Sequence, residues 1–142
     1  MTKQTKTILF VCEGNKIRSQ MAEAFYRQQA GPYQVASAGT LAEKDDPPSQ
    51  LAIEAMKELG IDISRQSASR LTQAMIEAAD LVVIFPTIYQ PAYINDNPNT
   101  VHWNNADPYY FGGHDAVQFM LQTRDDIRRR VVDLIAEQSN SD

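Results

Sequence analysis

The chain has 142 residues, a length that fits one domain spanning 1–142 and able to bury a core without disulfides. Its 13 basic and 18 acidic side chains leave a formal net charge of −5, which argues against nucleic acid or an anionic membrane as the natural partner. A single cysteine excludes an intrachain disulfide, and with only two histidines beside it no zinc centre or other metal cofactor is expected.

In chain order, Ile8 to Val11 is a continuous apolar run, as in a parallel strand buried on both faces. After Ser19, the residues Met21, Ala22 and Phe25 fall at helical spacing, and the helix should stop before Gly31-Pro32. Gln34 to Ser37 reads as a second strand. Pro47-Pro48 should open a helix with Leu51, Ala52, Ala55, Met56 and Leu59 on one face, closed by Gly60. Leu71, Met75 and Ile76 predict a further short helix. Leu81 to Phe85 and Val101 to Trp103 predict the third and fourth strands, with segment 86–98 an unusual loop between them. A final helix aligns Val117, Met120, Leu121, Ile127, Val131, Leu134 and Ile135, and Arg128-Arg129-Arg130 lies where a helix dipole's negative end would favour basic residues. The N-terminus lacks the hydrophobic segment of a signal peptide, and no stretch is apolar enough to span a bilayer, so a reducing cytoplasm is the expected setting.

Alternating strands and helices predict an α/β fold in three layers: a four-stranded parallel twisted sheet, helices on both faces, and a phosphate-binding loop after the first strand. Such sheets bind ligands beyond the carboxyl ends of their strands. Cys12, Thr40, Pro86 and Asp107 all follow predicted strands, so the topology gathers them at one edge.

Cys12 to Ser19 read Cys-Glu-Gly-Asn-Lys-Ile-Arg-Ser. A thiol between a strand and a helix faces backbone N–H groups and the positive end of the helix dipole, which favour the thiolate. The same amides form a nest for a tetrahedral oxyanion, and Arg18 can clamp two of its oxygens. Nucleophile and anion seat together point to phosphoryl transfer through cysteine. A cysteine at a strand end is otherwise just a small buried hydrophobe; the company of Gly14, Asn15, Arg18 and Ser19 decides for chemistry. Gly14 suits a positive φ or a close approach to an anion. Asn15 tolerates the left-handed region and can brace the loop from within. Ser19 can cap the following helix.

Cys-x5-Arg-Ser directly after an N-terminal strand resembles the low-molecular-weight protein tyrosine phosphatase superfamily, which includes thioredoxin-coupled arsenate reductases. The resemblance runs from about Ile8 to Ile135, through Ser37-Ala-Gly-Thr40, Gly60-Ile-Asp-Ile-Ser64, Ala79-Asp-Leu-Val-Val83 and Asp107-Pro108. It implies a cytoplasmic hydrolase of phosphomonoesters, above all protein phosphotyrosine. Cys12 would be the nucleophile and residues 13–18 (Glu13, Gly14, Asn15, Lys16, Ile17 and Arg18) the phosphate seat. Ser19 would hydrogen-bond the thiolate and lower its pKa, Asp107 would act as acid then base, and Tyr109 and Tyr110 would wall the aryl slot. The expected partners are a phosphorylated protein or small phosphomonoester and the inhibitory oxyanions phosphate, vanadate and arsenate.

Other segments resemble the reductase branch: Ser19-Gln-Met-Ala-Glu23, Asp62-Ile-Ser-Arg-Gln-Ser67 and His102-Trp103. Gln20 and Gln66 stand where typical phosphatases of this type carry proline and histidine. The reductase relay needs further cysteines, the first where this chain has Pro86, so only arsenate reduction with an external thiol stays open. Ile17 replaces a second loop cysteine that would trap an oxidised nucleophile. Glu13 at the loop mouth either repels a dianion, selects a cationic neighbour, or is merely solvated, with Lys16 offsetting its charge. A catalytically weak phosphate- or phosphoprotein-binding module is the alternative outside enzymes.

Overall fold

The computed structural model describes residues 5–110 and 112–140. Strand β1 (Thr7–Cys12) alternates its side chains between two layers, and Ile8 to Cys12 are all buried, so both sheet faces are covered. β2 (Gln34–Gly39) pairs along one edge of β1 and β3 (Leu81–Ile84) along the other, with β4 (Thr100–His102) beyond β3. The order is β2-β1-β3-β4 and every pairing is parallel. Cys12 lies in register with Gly39, and Val11 with Ile84, so the chain leaves β1, β2 and β3 at one common edge.

Helices α1 (Arg18–Gln28), α2 (Gln50–Lys57) and α5 (Ala116–Asn140) cover the face that carries Ile8, Phe10 and Val83. The opposite face, with Leu9, Val11, Val82 and Ile84, packs against Ile76 of α3 (Gln73–Ala78) and Ile94 of α4 (Ala92–Asn95). These two helices are far too short to be stable alone. Each is anchored by a fully buried isoleucine, worth roughly 1.5–3 kcal/mol relative to an exposed one. Among the described residues no helix is long and apolar enough to cross a membrane.

Several boundaries differ from the sequence expectation for local reasons. α2 begins at Gln50, after Pro47-Pro48, and its Leu51 is exposed. Its end matches expectation: Gly60 has φ +75°, its N–H donates to Lys57 O, and Ile61 N–H donates to Met56 O. α3 starts after Thr72, whose Oγ1 accepts from Met75 N–H, so Leu71 precedes it. β4 lies one residue earlier than predicted, Val117 is exposed on α5, and the 86–98 loop contains α4. Arg128-Arg129-Arg130 sits in the middle of α5, not in its last turn, and two of the three pair with Asp126. Ser19 does not cap α1: the helix begins at Arg18 behind Ile17, with no capping side chain.

The end of α1 separates two roles that one glycine usually combines. The left-handed residue is exposed Ala30, φ +54°, flanked by N–H donation from Ala30 to Arg27 O and from Gly31 to Tyr26 O. Gly31 is needed for space, since a Cβ there would lie 2.3 Å from the ring of fully buried Tyr26. Opposite outcomes follow at adjacent positions. Ala30→Gly should raise stability by about 1 kcal/mol, a Tm increase of about 3 °C, by relieving the left-handed backbone. Gly31→Ala should lower stability by roughly 1–3 kcal/mol, because Tyr26 must move. Thermal denaturation of both variants checks the pair; equal effects would contradict it.

Candidate active site

The loop after β1 is held open by its surroundings. The carbonyls of Cys12, Glu13 and Lys16 accept N–H bonds from Thr40 (2.9 Å), Leu41 (2.8 Å) and Ser49 (3.0 Å). The Asn15 carbonyl accepts from Gln20 Nε2 at 3.0 Å. With these carbonyls committed to neighbouring segments, the amides of residues 14–17 have no acceptor among the described residues. A run of free amides in a tight loop is a nest for an anion.

Asn15, not Gly14, is the loop's left-handed residue, at φ +54°. It is fully buried behind the loop and does not line the pocket. Its Nδ2 donates to Ser19 Oγ (2.7 Å) and Ser37 Oγ (3.0 Å), and its Oδ1 accepts from Ser69 N–H (2.8 Å). Ser19 Oγ also lies 2.9 Å from the Cys12 sulfur, and to a thiolate, which can only accept, the hydroxyl is the donor. Ser37 passes its hydrogen on to Glu23 Oε1 at 2.5 Å. One amide thereby engages two hydroxyls, one beside the sulfur and one beside Glu23. A Cβ at Gly14 would meet only Lys16 Cγ, at 3.9 Å. The glycine that closeness demands is Gly39, where a Cβ would come within 2.6 Å of Glu13 O and 2.8 Å of Asn15 N. A glycine at a strand end is itself a signal of close backbone approach, so Gly39 was legible.

A pocket of about 460 Å³ opens above this loop, lined by Cys12, Glu13, Gly14, Lys16, Ile17 and Arg18 from below. Asp107, Tyr109 and Tyr110 line it from the segment after β4, with Leu41 and Ser49 completing it. The sheet edge thus brings together the residues predicted at the loop and at the Asp-Pro pair. Arg18 is only 1% exposed. Its Nη1 donates to Asn105 O at 2.8 Å, its Nη2 lies 3.3 Å from Asp107 Oδ2, and its guanidinium lies over the Phe85 ring. Nε and Nη2 have no hydrogen-bond acceptor among the described residues. Two donors of a buried guanidinium that make no hydrogen bond, one of them facing Asp107 as an ion pair, form a seat for an oxyanion beside the nest and the sulfur. Asp107 is oriented by its other oxygen, which accepts from Tyr109 N–H at 3.0 Å.

Glu13 is not a solvated loop charge. Its Oε1 accepts from Ile88 N–H at 2.8 Å and its Oε2 accepts from the Tyr110 hydroxyl, so it clasps two loops across the mouth. Tyr109 packs edge-on against Tyr110, centroids 5.2 Å apart. Lys16 lies 3.8 Å from Asp46, both half-exposed, and Asp46 does not line the pocket. Ile17 is buried in the main core beside Cys12. The two unusual glutamines are partners: Gln66 Nε2 donates to Gln20 Oε1, and Gln20 Nε2 also holds Ser67 O at 3.1 Å.

The family model described as low molecular weight phosphotyrosine protein phosphatase matches residues 7–141. An arsenate reductase of Halalkalibacterium halodurans is 38% identical over 132 residues, covering 89% of this chain and 92% of its own length. Among solved structures, an arsenate reductase in the phosphate-binding state has TM-score 0.76 at 28% identity, over 94% of this chain and 98% of that one. The YwlE arginine phosphatase with a phosphorylated active-site serine has TM-score 0.80 at 25% identity, over 95% and 97%.

The clasp at the mouth has a spectroscopic signature. Donation to the Glu13 carboxylate, together with partial desolvation and that negative charge, pushes Tyr110 up to about 12, because ionising it would break the bond and place two anions together. The contact therefore persists at neutral pH and is lost only as pH rises through about 12. Difference titration of phenolate absorbance between the protein and its Tyr110→Phe variant isolates this group. Glu13→Ala should return it toward the ordinary tyrosine value of about 10. An unshifted Tyr110 with Glu13 intact would contradict the clasp.

Proposed function

Because the chain belongs to the low molecular weight phosphotyrosine protein phosphatase family, we propose that it hydrolyses phosphomonoesters, with protein phosphotyrosine as the substrate class. The observation that carries this reading is the pair of donors on buried Arg18 that make no hydrogen bond, in one pocket with Cys12 and with Asp107, the ion-pair partner of Nη2. In this reading the phosphoryl oxygens settle against Arg18 and the amides of residues 14–17. Cys12 attacks phosphorus from below, and an S–P bond replaces the bond to the leaving oxygen. Asp107 gives that oxygen its proton. Water then attacks the phosphocysteine, Asp107 takes its proton, and phosphate and free thiolate return. Ser19 donates to the sulfur throughout. The guanidinium and the nest supply the positive charge that a metal ion supplies in other phosphoryl-transfer sites. Tyr109 and Tyr110 wall the slot, where stacking an aryl group contributes roughly 1 kcal/mol beyond its burial.

A second reading is favoured by the 38% identity to a protein named arsenate reductase. Arsenate fits the same seat. Cys12 would displace a hydroxyl from arsenic, and an external thiol would attack the cysteine sulfur, releasing arsenite and leaving a mixed disulfide for a second thiol to reduce. The external thiol is essential here because Cys12 is the chain's only cysteine. Turnover of arsenate with glutathione, set against hydrolysis of an aryl phosphate in the presence of a metal chelator, separates the two readings.

Variants test the assigned roles. Cys12→Ser should bind phosphate yet lose essentially all turnover, since a serine hydroxyl is barely ionised at neutral pH. Asp107→Asn should slow phosphotyrosine hydrolysis roughly 10²–10⁴-fold, because a phenol of pKa about 10 needs its proton. The loss should be clearly smaller for nitrophenyl phosphate, whose leaving group departs as an anion. Asp46→Asn should change neither rate. Equal losses on both substrates in Asp107→Asn would remove Asp107 from the proton transfer.

A further inference from the structure

One turn of α5 grips the segment that carries Asp107. Asp126 Oδ2 accepts from Asn105 Nδ2 at 2.6 Å and from Arg130 Nε at 2.9 Å, and Oδ1 accepts from Arg129. Arg130 extends the grip: its Nη2 donates to Asn104 Oδ1 at 2.5 Å and its guanidinium lies over the Trp103 ring. Three consecutive residues, Trp103, Asn104 and Asn105, are therefore fixed from one side of a helix. Asn105 faces the other way with its main chain. Its carbonyl accepts from Arg18 Nη1, and two residues later Asp107 stands 3.3 Å from Arg18 Nη2. The side chain of Asn105 belongs to α5 and its carbonyl to the active site.

We propose that Asp126 is a positioning residue for the reaction, holding Asn105 so that Asp107, two residues further on, reaches the leaving oxygen. This rests on the hydrolase reading, in which Asp107 is the acid. An ordinary surface role for Asp126, as an i,i+3 and i,i+4 partner of Arg129 and Arg130, accounts for two of its bonds but not for the one to Asn105, 21 residues away. Its side chain is only a quarter exposed, and the oxygen that holds Asn105 is the one that Arg130 Nε also contacts. Burial works to raise its pKa, yet the bonds from Asn105 and Arg130 and the two arginine charges carry it below the usual carboxylate range, so Asp126 is ionised wherever the enzyme would work. An ionised acceptor holds an amide donor more firmly than a neutral one.

A misplacement of about 1 Å in an acid loop can slow catalysis by roughly 100-fold, and only for substrates that need the acid. The test compares phosphotyrosine with nitrophenyl phosphate in Asp126→Ala, Asp126→Asn, Arg130→Met and Arg129→Ala. Asp126→Ala should lose at least about tenfold more kcat on phosphotyrosine than on nitrophenyl phosphate. Asp126→Asn keeps an oxygen for Asn105 and should recover part of that difference, while Arg129→Ala should show none. Placed in an Asp107→Asn background, Asp126→Ala should no longer discriminate between the substrates. Arg130→Met keeps an apolar stem over Trp103 and should show the same signature more weakly, which serves if Asp126→Ala folds poorly. Equal losses on both substrates in Asp126→Ala and Arg130→Met would overturn the inference. So would discrimination that survives without the Asp107 carboxylate. Unmutated protein that hydrolyses neither substrate, or Asp107→Asn that fails to discriminate, would instead strike the hydrolase reading beneath it.

Discussion

The guanidinium of Arg18, a residue 1% exposed, with two nitrogens that make no hydrogen bond, is the constraint on which the remaining architecture depends. Taking such a charge out of water costs several kcal/mol, and only an anion with well-placed acceptors offsets it. Within the chain Arg18 finds one carbonyl, Asn105 O, and one carboxylate at 3.3 Å. Its face is occupied by Phe85 at the end of β3, whose ring attracts the cation without satisfying its N–H groups. The residue itself lines the cavity. In the proposed reading, an arriving oxyanion completes the solvation that folding removed.

The other half of the site is organised by Asn15. Its side-chain amide makes three hydrogen bonds and its left-handed backbone turns the loop. This works only because β2 ends in Gly39, whose missing side chain lets the loop backbone rest directly on the strand. The sheet order places β2 and β3 on either side of β1, so the ends of three strands converge on the sulfur. Packing, backbone conformation and chemistry are coupled here through a few ångströms of space.

Much of this was legible in the sequence because the signals are local. Cys12, Arg18 and Ser19 lie within eight residues, and the apolar runs of β1 and β3 carry the pattern of doubly covered strands. Asp107 entered by resemblance, and the topology then placed it in the same pocket. What escaped was held by distant partners. Glu13 gives no local sign that its carboxylate will meet Tyr110, 97 residues later, and nothing around Asn105 announces that its carbonyl will meet Arg18, 87 residues earlier. The three arginines of α5 read as a helix end because the sequence does not mark where that helix stops; Asp126, between them and the Asp107 loop, passed unnoticed. The single turn of α4 is too short for any periodic pattern, and its one buried anchor, Ile94, became visible only against the sheet.

The central claim is that the Cys12 sulfur takes the phosphoryl group. Rapid denaturation at alkaline pH during turnover of an aryl phosphate, followed by peptide mass mapping, tests it directly. The site geometry predicts one phosphoryl group on the peptide containing Cys12, appearing before free phosphate reaches its steady rate and disappearing when substrate is exhausted. Phosphate released with no adduct at any time, or an adduct on a residue other than Cys12, would contradict it.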